Sequence, residues 1–155
     1  IGCGRGYDAV TFAKAGFEVT AIDFSHNAVM DARENARKAE VDIKVILENL
    51  FDLPEDLFYK FDYVMEYTCF CAISPTRRFE YDRVVWQLLK PKGKLLGLFL
   101  PLDKELEEGG PPWGVKISEL HKLFGLHWNL EYEEMPRESI DRRADREILM
   151  VWHKK

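Results

Sequence analysis

Apolar and polar positions switch repeatedly between helical and strand periods along this chain. After the stretch IGCGRGYD, which carries Gly2, Gly4 and Gly6, the spacing predicts a helix over Tyr7–Ala15 that ends at Gly16. Phe17, Val19 and Ala21 alternate with period two, predicting a strand over Phe17–Asp23. Ser25 has the chemistry of an N-cap, and Ala28, Val29, Ala32 and Ala36 mark the inner face of a helix reaching about Ala39. The charged residues between them form its wet face. Strands follow at Ile43–Leu47 and Phe61–Tyr67, with a loop around Asp52–Pro54 between them. Thr76–Lys90 reads as helix, Pro91–Gly93 as a turn, and Lys94–Leu100 as the most apolar strand.

Up to Leu100 strands and helices alternate, which predicts a parallel sheet covered on both faces. Beyond Pro101 the pattern changes. A loop ending Gly109-Gly110-Pro111-Pro112-Trp113 precedes a short helix, Ile117–Phe124. Strands at Trp128–Met135 and Arg146–Trp152 have no room between them for a crossover helix, so they must pair antiparallel. The expected fold is α/β, a Rossmann-like, mostly parallel sheet ending in a C-terminal antiparallel hairpin. A chain of 155 residues is expected to form a single domain, 1–155.

The opening stretch carries the clearest chemistry. Glycines allow positive φ and a close approach of backbone to ligand, and the helix after Gly6 aims free N–H groups over the turn. Asp23 ends the next strand roughly 20 residues after the first glycine, the place from which a carboxylate takes hydrogen bonds from ribose hydroxyls. An adenosine-containing cofactor is implied. A dinucleotide fingerprint would be GxGxxG, and its last position here is Tyr7, a bulky group where the third glycine gives close helix–strand contact. The tighter GxGxG spacing favours the methionine end of S-adenosylmethionine.

Composition narrows the choice. The net charge of −5 gives no electrostatic case for nucleic acid or an anionic membrane, and no apolar run approaches the length of a membrane-spanning helix. Cys3, Cys69 and Cys71 are odd in number and suit a reducing, cytoplasmic setting. Neither they nor the scattered histidines have metal-ligand spacing, so no metal is expected. Arg77 and Arg78 read as a solvated helix start, with attraction of an anionic acceptor as the alternative.

The stretches GCGRGYD (Gly2–Asp8), VTAIDFS (Val19–Ser25), EYTCFCAISPTRR (Glu66–Arg78), LKPKGKLLGLFLPLD (Leu89–Asp103) and GGPPWGV (Gly109–Val115) carry a family resemblance. The chain resembles the class I S-adenosylmethionine-dependent methyltransferases. Within them it is most similar to the thiopurine S-methyltransferase family, especially its thiol, halide and thiocyanate branch. The resemblance implies S-adenosyl-L-methionine as cofactor, with Gly2, Gly4 and Gly6 behind its methionine portion and Asp23 on the ribose. Phe24 and Ser25 would lie beside the adenine, Asn49 and Leu50 would line its edge, and Glu66 would lie near the sulfonium. Family members carry Asp where this chain has Asn49. The family also has an N-terminal strand and a lid over the cofactor; both are expected upstream of Ile1, truncated from this sequence. A sheet edge left open by that strand would invite pairing with another chain.

Methyl transfer from a sulfonium is an in-line displacement in which the protein aligns, desolvates and excludes water. A soft nucleophile needs little general-base help, which suits an acceptor pocket of Tyr67, Phe70 and Trp113, with Tyr67 the candidate catalytic residue; the alternatives are plain core aromatics for Tyr67 and Phe70 and loop packing for Trp113. The expected partner is a small-molecule acceptor such as a thiol, thiopurine or halide. Two other readings stay open: an S-adenosylmethionine-binding module that has lost catalysis, and a nicotinamide-dependent oxidoreductase. The glycine spacing and the terminal hairpin both count against the latter.

Overall fold

Val19–Asp23 (β1) and Ile43–Leu47 (β2) pair parallel in register from Val19–Ile43 to Asp23–Leu47, as two strands separated by a helix must. The computed structural model describes residues 1–155, and these form two compact units, Ile1–Leu53 and Pro54–Lys155. In the first unit the helices are α1 (Tyr7–Lys14) and α2 (His26–Lys38). Val29, Ala32 and Ala36 bury the inner face of α2, and the Ser25 hydroxyl caps it by accepting from the Ala28 N–H at 3.4 Å. The Cys3 N–H donates to the Ile22 carbonyl at 3.0 Å, so the residues before the glycine turn run beside β1.

The second unit is a four-stranded sheet in the order β3 (Phe61–Tyr67), β4 (Leu89–Phe99), β6 (Ile148–Lys154), β5 (Trp128–Glu134). β3 and β4 are parallel, whereas β6 runs antiparallel to both of its neighbours. The terminal hairpin is therefore inserted with its last strand against β4. Helices α3 (Arg78–Leu88) and α4 (Ile117–Phe124) belong to this unit. Its core joins Phe70, Tyr81, Phe99, Phe124, Trp128 and Trp152.

The hydrogen-bonded strand sets are β1–β2 in the first unit and β3–β4–β6–β5 in the second. One expectation, a helix boundary, is corrected. The helix expected through Lys90 stops at Leu88, and β4 begins at Leu89. Phe61 pairs with Leu89 and Tyr63 with Lys94, so β4 bulges across Lys90–Gly93. A bulge is where a strand tolerates proline without losing a ladder bond, and Pro91 stands there.

Candidate functional site

In the first unit the glycine turn is built from backbone conformation. Gly2, Gly4 and Gly6 adopt φ of 58°, 50° and 75°, left-handed values that L side chains disfavour. Gly6 also has no room, since a Cβ there would lie 2.9 Å from the Ala32 Cβ of α2. At Gly4 a Cβ would meet nothing within 4 Å. Gly6 thus serves packing, and Gly4 leaves space above the turn.

Asp23 is locked to that turn. One carboxylate oxygen accepts the Gly4 N–H at 2.8 Å and the other accepts the Ser25 N–H at 2.9 Å. A carboxylate has about four acceptor positions, so two remain for a ligand's hydroxyls. The Glu48 N–H donates to the Asp23 carbonyl at 3.0 Å, bringing Asn49 to the same end of the strand pair. The Asn49 side-chain oxygen accepts from the Phe51 N–H at 3.1 Å and caps the Leu50–Asp52 turn. Phe24 is 80% exposed beside Asp23, a free aromatic face at the carboxyl end of β1. Gly4, Asp23, Phe24 and Asn49 therefore lie at the carboxyl end of the β1–β2 pair, with open space over the Gly4 backbone, a carboxylate with free acceptor positions and an exposed aromatic face. Leu50 is buried in the core, and the Ser25 hydroxyl makes the helix cap expected of it.

In the second unit Glu66 and Tyr67 end β3. Glu66 is 1% exposed and internally occupied: one oxygen accepts from the Cys69 and Phe70 N–H groups at 3.0 and 2.8 Å, the other from the Tyr81 hydroxyl at 2.7 Å. Burial raises its carboxyl above the ordinary range against those three bonds. Glu66 is thus a clamp on the turn after β3, and its side chain offers no surface to a cofactor. Phe70 is also corrected. Its ring meets Tyr81 at 5.2 Å and Phe99 at 5.4 Å between centroids, inside the core rather than on a pocket wall.

Tyr67 is half-buried, and its hydroxyl donates to Glu147 Oε2 at 3.3 Å. Burial is the main reason its phenol is raised above its ordinary value, so it stays a hydrogen-bond donor. The Arg143 guanidinium lies 4.5 Å from the centre of the Tyr67 ring and hydrogen-bonds the Tyr67 side chain. Glu147, itself buried, takes a second hydrogen bond from the Ser139 hydroxyl at 2.6 Å. Sequence reasoning misses Arg143, Glu147 and Ser139. They lie in the charged stretch between β5 and β6, where nothing in the sequence separates Arg143 from Arg142 or Arg146. Trp113 is half-buried, its backbone N–H donates to the Cys71 carbonyl at 2.7 Å, and its ring lies against Gly110.

Arg77 and Arg78 part company. Arg77 pairs with Glu80 at 2.7 Å on the surface, as expected, whereas Arg78 is buried.

The fold is that of an S-adenosylmethionine-dependent methyltransferase. A solved protein of that class from Methanosarcina mazei superposes with a TM-score of 0.82 at 19% identity, over 99% of this chain and 89% of that one. The family follows from sequence. The thiopurine S-methyltransferase family profile matches residues 2–152, and the chain belongs to that family. It is 33% identical over 159 residues to thiocyanate methyltransferase 1 of Arabidopsis thaliana, covering 99% of this chain and 67% of the relative. To a probable thiol methyltransferase 2 of the same plant it is 37% identical over 128 residues, 79% of this chain and 54% of the relative. The chain thus spans between about half and two thirds of these relatives' length. The family's cofactor is S-adenosylmethionine, and the glycine turn and Asp23 fit it.

Proposed function

We propose that this chain transfers a methyl group from S-adenosylmethionine to a small, soft, anionic nucleophile of the thiocyanate, thiolate or halide class. The observation that carries the reading is Arg143: a guanidinium held against the Tyr67 ring at the carboxyl end of β3. An anion there gains a charge partner without a base having to ionise it. The curated relatives point the same way, one being named for thiocyanate and another for thiols.

The bound cofactor supplies the electrophilic methyl and the leaving group. The chain's own residues do the rest. Gly2 and Gly4 let the backbone approach the methionine portion, and Asp23 holds the ribose hydroxyls. Phe24 covers one face of the adenine, and Asn49 offers its amide at the edge. Tyr67, fixed by Glu147 and Arg143, orients the acceptor, while Trp113 shields it from water. Tyr67 acts by position: its hydroxyl proton is committed to Glu147, and the raised phenol keeps that proton through neutral pH. We propose further that both units serve this reaction as one catalytic domain. Its three free cysteines fit a cytoplasmic setting, and no helix is long and apolar enough to cross a membrane.

The test is product formation with S-adenosylmethionine and, in turn, thiocyanate, iodide, hydrosulfide and a neutral hydroxyl compound. Methylation of the first three but not the fourth is expected. Arg143→Ala should lower kcat/KM for thiocyanate by about tenfold or more, the weight of one charge-assisted contact. Binding of S-adenosylhomocysteine with no transfer to any soft nucleophile would overturn the reading.

A further inference from the structure

The sequence puts Arg78 on a solvated helix start, yet its side chain is 5% exposed. Its guanidinium makes three separate contacts. Nη2 donates to the Gly114 carbonyl at 2.8 Å, and Nη1 donates to Glu119 Oε2 of α4 at 3.0 Å. The plane lies 4.6 Å from the centre of the Phe70 ring. Phe70 belongs to the turn that Glu66 holds, directly after Tyr67 and Thr68.

This is a costly way to fill a core. The only carboxylate facing Arg78 is 40% exposed, and the buried Nε has no hydrogen-bond partner. A buried charge with one incomplete partner is poor evidence for stability, and an apolar side chain would satisfy Phe70 better. What the guanidinium supplies is reach in two directions at once from a rigid plane, which an ammonium cannot reproduce. One arm is spent on the Trp113–Val115 segment. There the Trp113 backbone N–H donates to the Cys71 carbonyl, the Gly114 carbonyl accepts from Arg78, and the Val115 N–H donates to the Pro101 carbonyl. The chain has no slack at Gly114, where a Cβ would collide with the Lys104 carbonyl.

We propose that Arg78 is a positioning residue for the acceptor side of the site. It fixes the Gly114 carbonyl, and with it Trp113, against the turn that follows Tyr67. The role of Trp113 at the acceptor rests on the reading under Proposed function; the fixing of the segment does not. Arg78 touches neither cofactor nor acceptor and acts only through Trp113 and Phe70.

The experiment uses the 155-residue chain and the variants Arg78→Lys and Glu119→Gln. Glu119→Gln keeps Arg78 in place, and its surface position makes it safe for folding. Amide hydrogen exchange at Trp113 and Val115 is followed together with S-adenosylhomocysteine affinity and the kinetics of thiocyanate methylation. With Arg78→Lys, exchange at both amides should quicken about tenfold relative to β6 amides, the weight of one lost charge-assisted hydrogen bond. KM for thiocyanate should rise by a similar factor, with kcat and cofactor affinity changed by less than about twofold. Glu119→Gln should move exchange and KM in the same direction and less far.

Unchanged local exchange in a folded Arg78→Lys chain would overturn the proposal. So would a rise in KM matched by an equal loss of cofactor affinity, since that marks general loosening. Should Arg78→Lys not fold, Glu119→Gln decides by the same two readouts. If the unaltered chain binds S-adenosylhomocysteine but methylates nothing, the functional reading fails by itself. The exchange rates then still decide whether Arg78 holds the segment.

Discussion

The surface around Asp23 and the surface around Tyr67 are built from different materials. The first is backbone at positive φ, pinned by one carboxylate that takes two N–H groups from residues 19 and 2 positions away. The second is side chains reaching across the fold: Tyr67 to Glu147 spans 80 positions and Arg78 to Glu119 spans 41. A backbone site offers few ways to vary and suits a ligand that never changes. A side-chain site can be retuned one residue at a time, which suits an acceptor that differs between relatives. That contrast predicts where substitutions unfold the chain, where they cost cofactor and where they change only the acceptor.

The largest expected effect is at Glu66. Glu66→Ala leaves two backbone N–H groups and the Tyr81 hydroxyl without their acceptor in a buried place. Roughly 3–5 kcal/mol of stability should be lost, read as a shift in urea midpoint. A loss below about 1 kcal/mol would mean that water replaces the carboxylate and that the clamp is dispensable.

Two of the three turn glycines should separate next. Gly6→Val meets both an unfavourable φ of 75° and the Ala32 contact, so about 2–4 kcal/mol should go. Gly4→Ala faces only its φ of 50° with open space beyond, and about 1–2 kcal/mol is expected. Its added methyl enters the open space proposed to hold the cofactor, so S-adenosylhomocysteine affinity should fall more than stability does. Equal stability losses would mean that the Ala32 contact relaxes freely.

Asp23→Asn tests the ribose acceptor with little change of shape. The amide oxygen can keep only one of the two backbone bonds, and the charge is gone. S-adenosylhomocysteine affinity should drop roughly 10- to 100-fold, as for the loss of one or two charge-assisted hydrogen bonds. Calorimetry showing undiminished affinity would remove Asp23 from the site.

What the sequence revealed follows the same division. The glycine turn, α1 and the strand ending at Asp23 were legible because they are near neighbours in the chain, and spacing alone fixes their local geometry. The alternation of elements and the final antiparallel strands were legible for the same reason. Phe70 and Glu66 were misplaced because a residue at a strand's carboxyl end faces either ligand or core, and only long-range packing decides which. Arg143 and Arg78 were hidden more deeply. Each sits in a run of charges whose members look alike until the fold buries one of them.

The smallest effect isolates the charge on Glu66 from its hydrogen-bonding role. Glu66→Gln keeps an oxygen for the Cys69 and Phe70 N–H groups and presents an amide to Tyr81, whose hydroxyl can turn to accept. In the native protein burial raises the carboxyl above its ordinary value of 4.5. A raised carboxyl binds its proton more tightly folded than unfolded, so its contribution is complete below the unfolded value and is lost as pH rises through the folded one. The stability advantage of the native chain over the Glu66→Gln variant should therefore be greatest at about pH 4 and shrink toward neutrality. Melting both proteins across that range cancels every other titrating group to first order. An advantage that instead grows with pH would mean that the three hydrogen bonds outweigh desolvation, making Glu66 an anion the fold prefers.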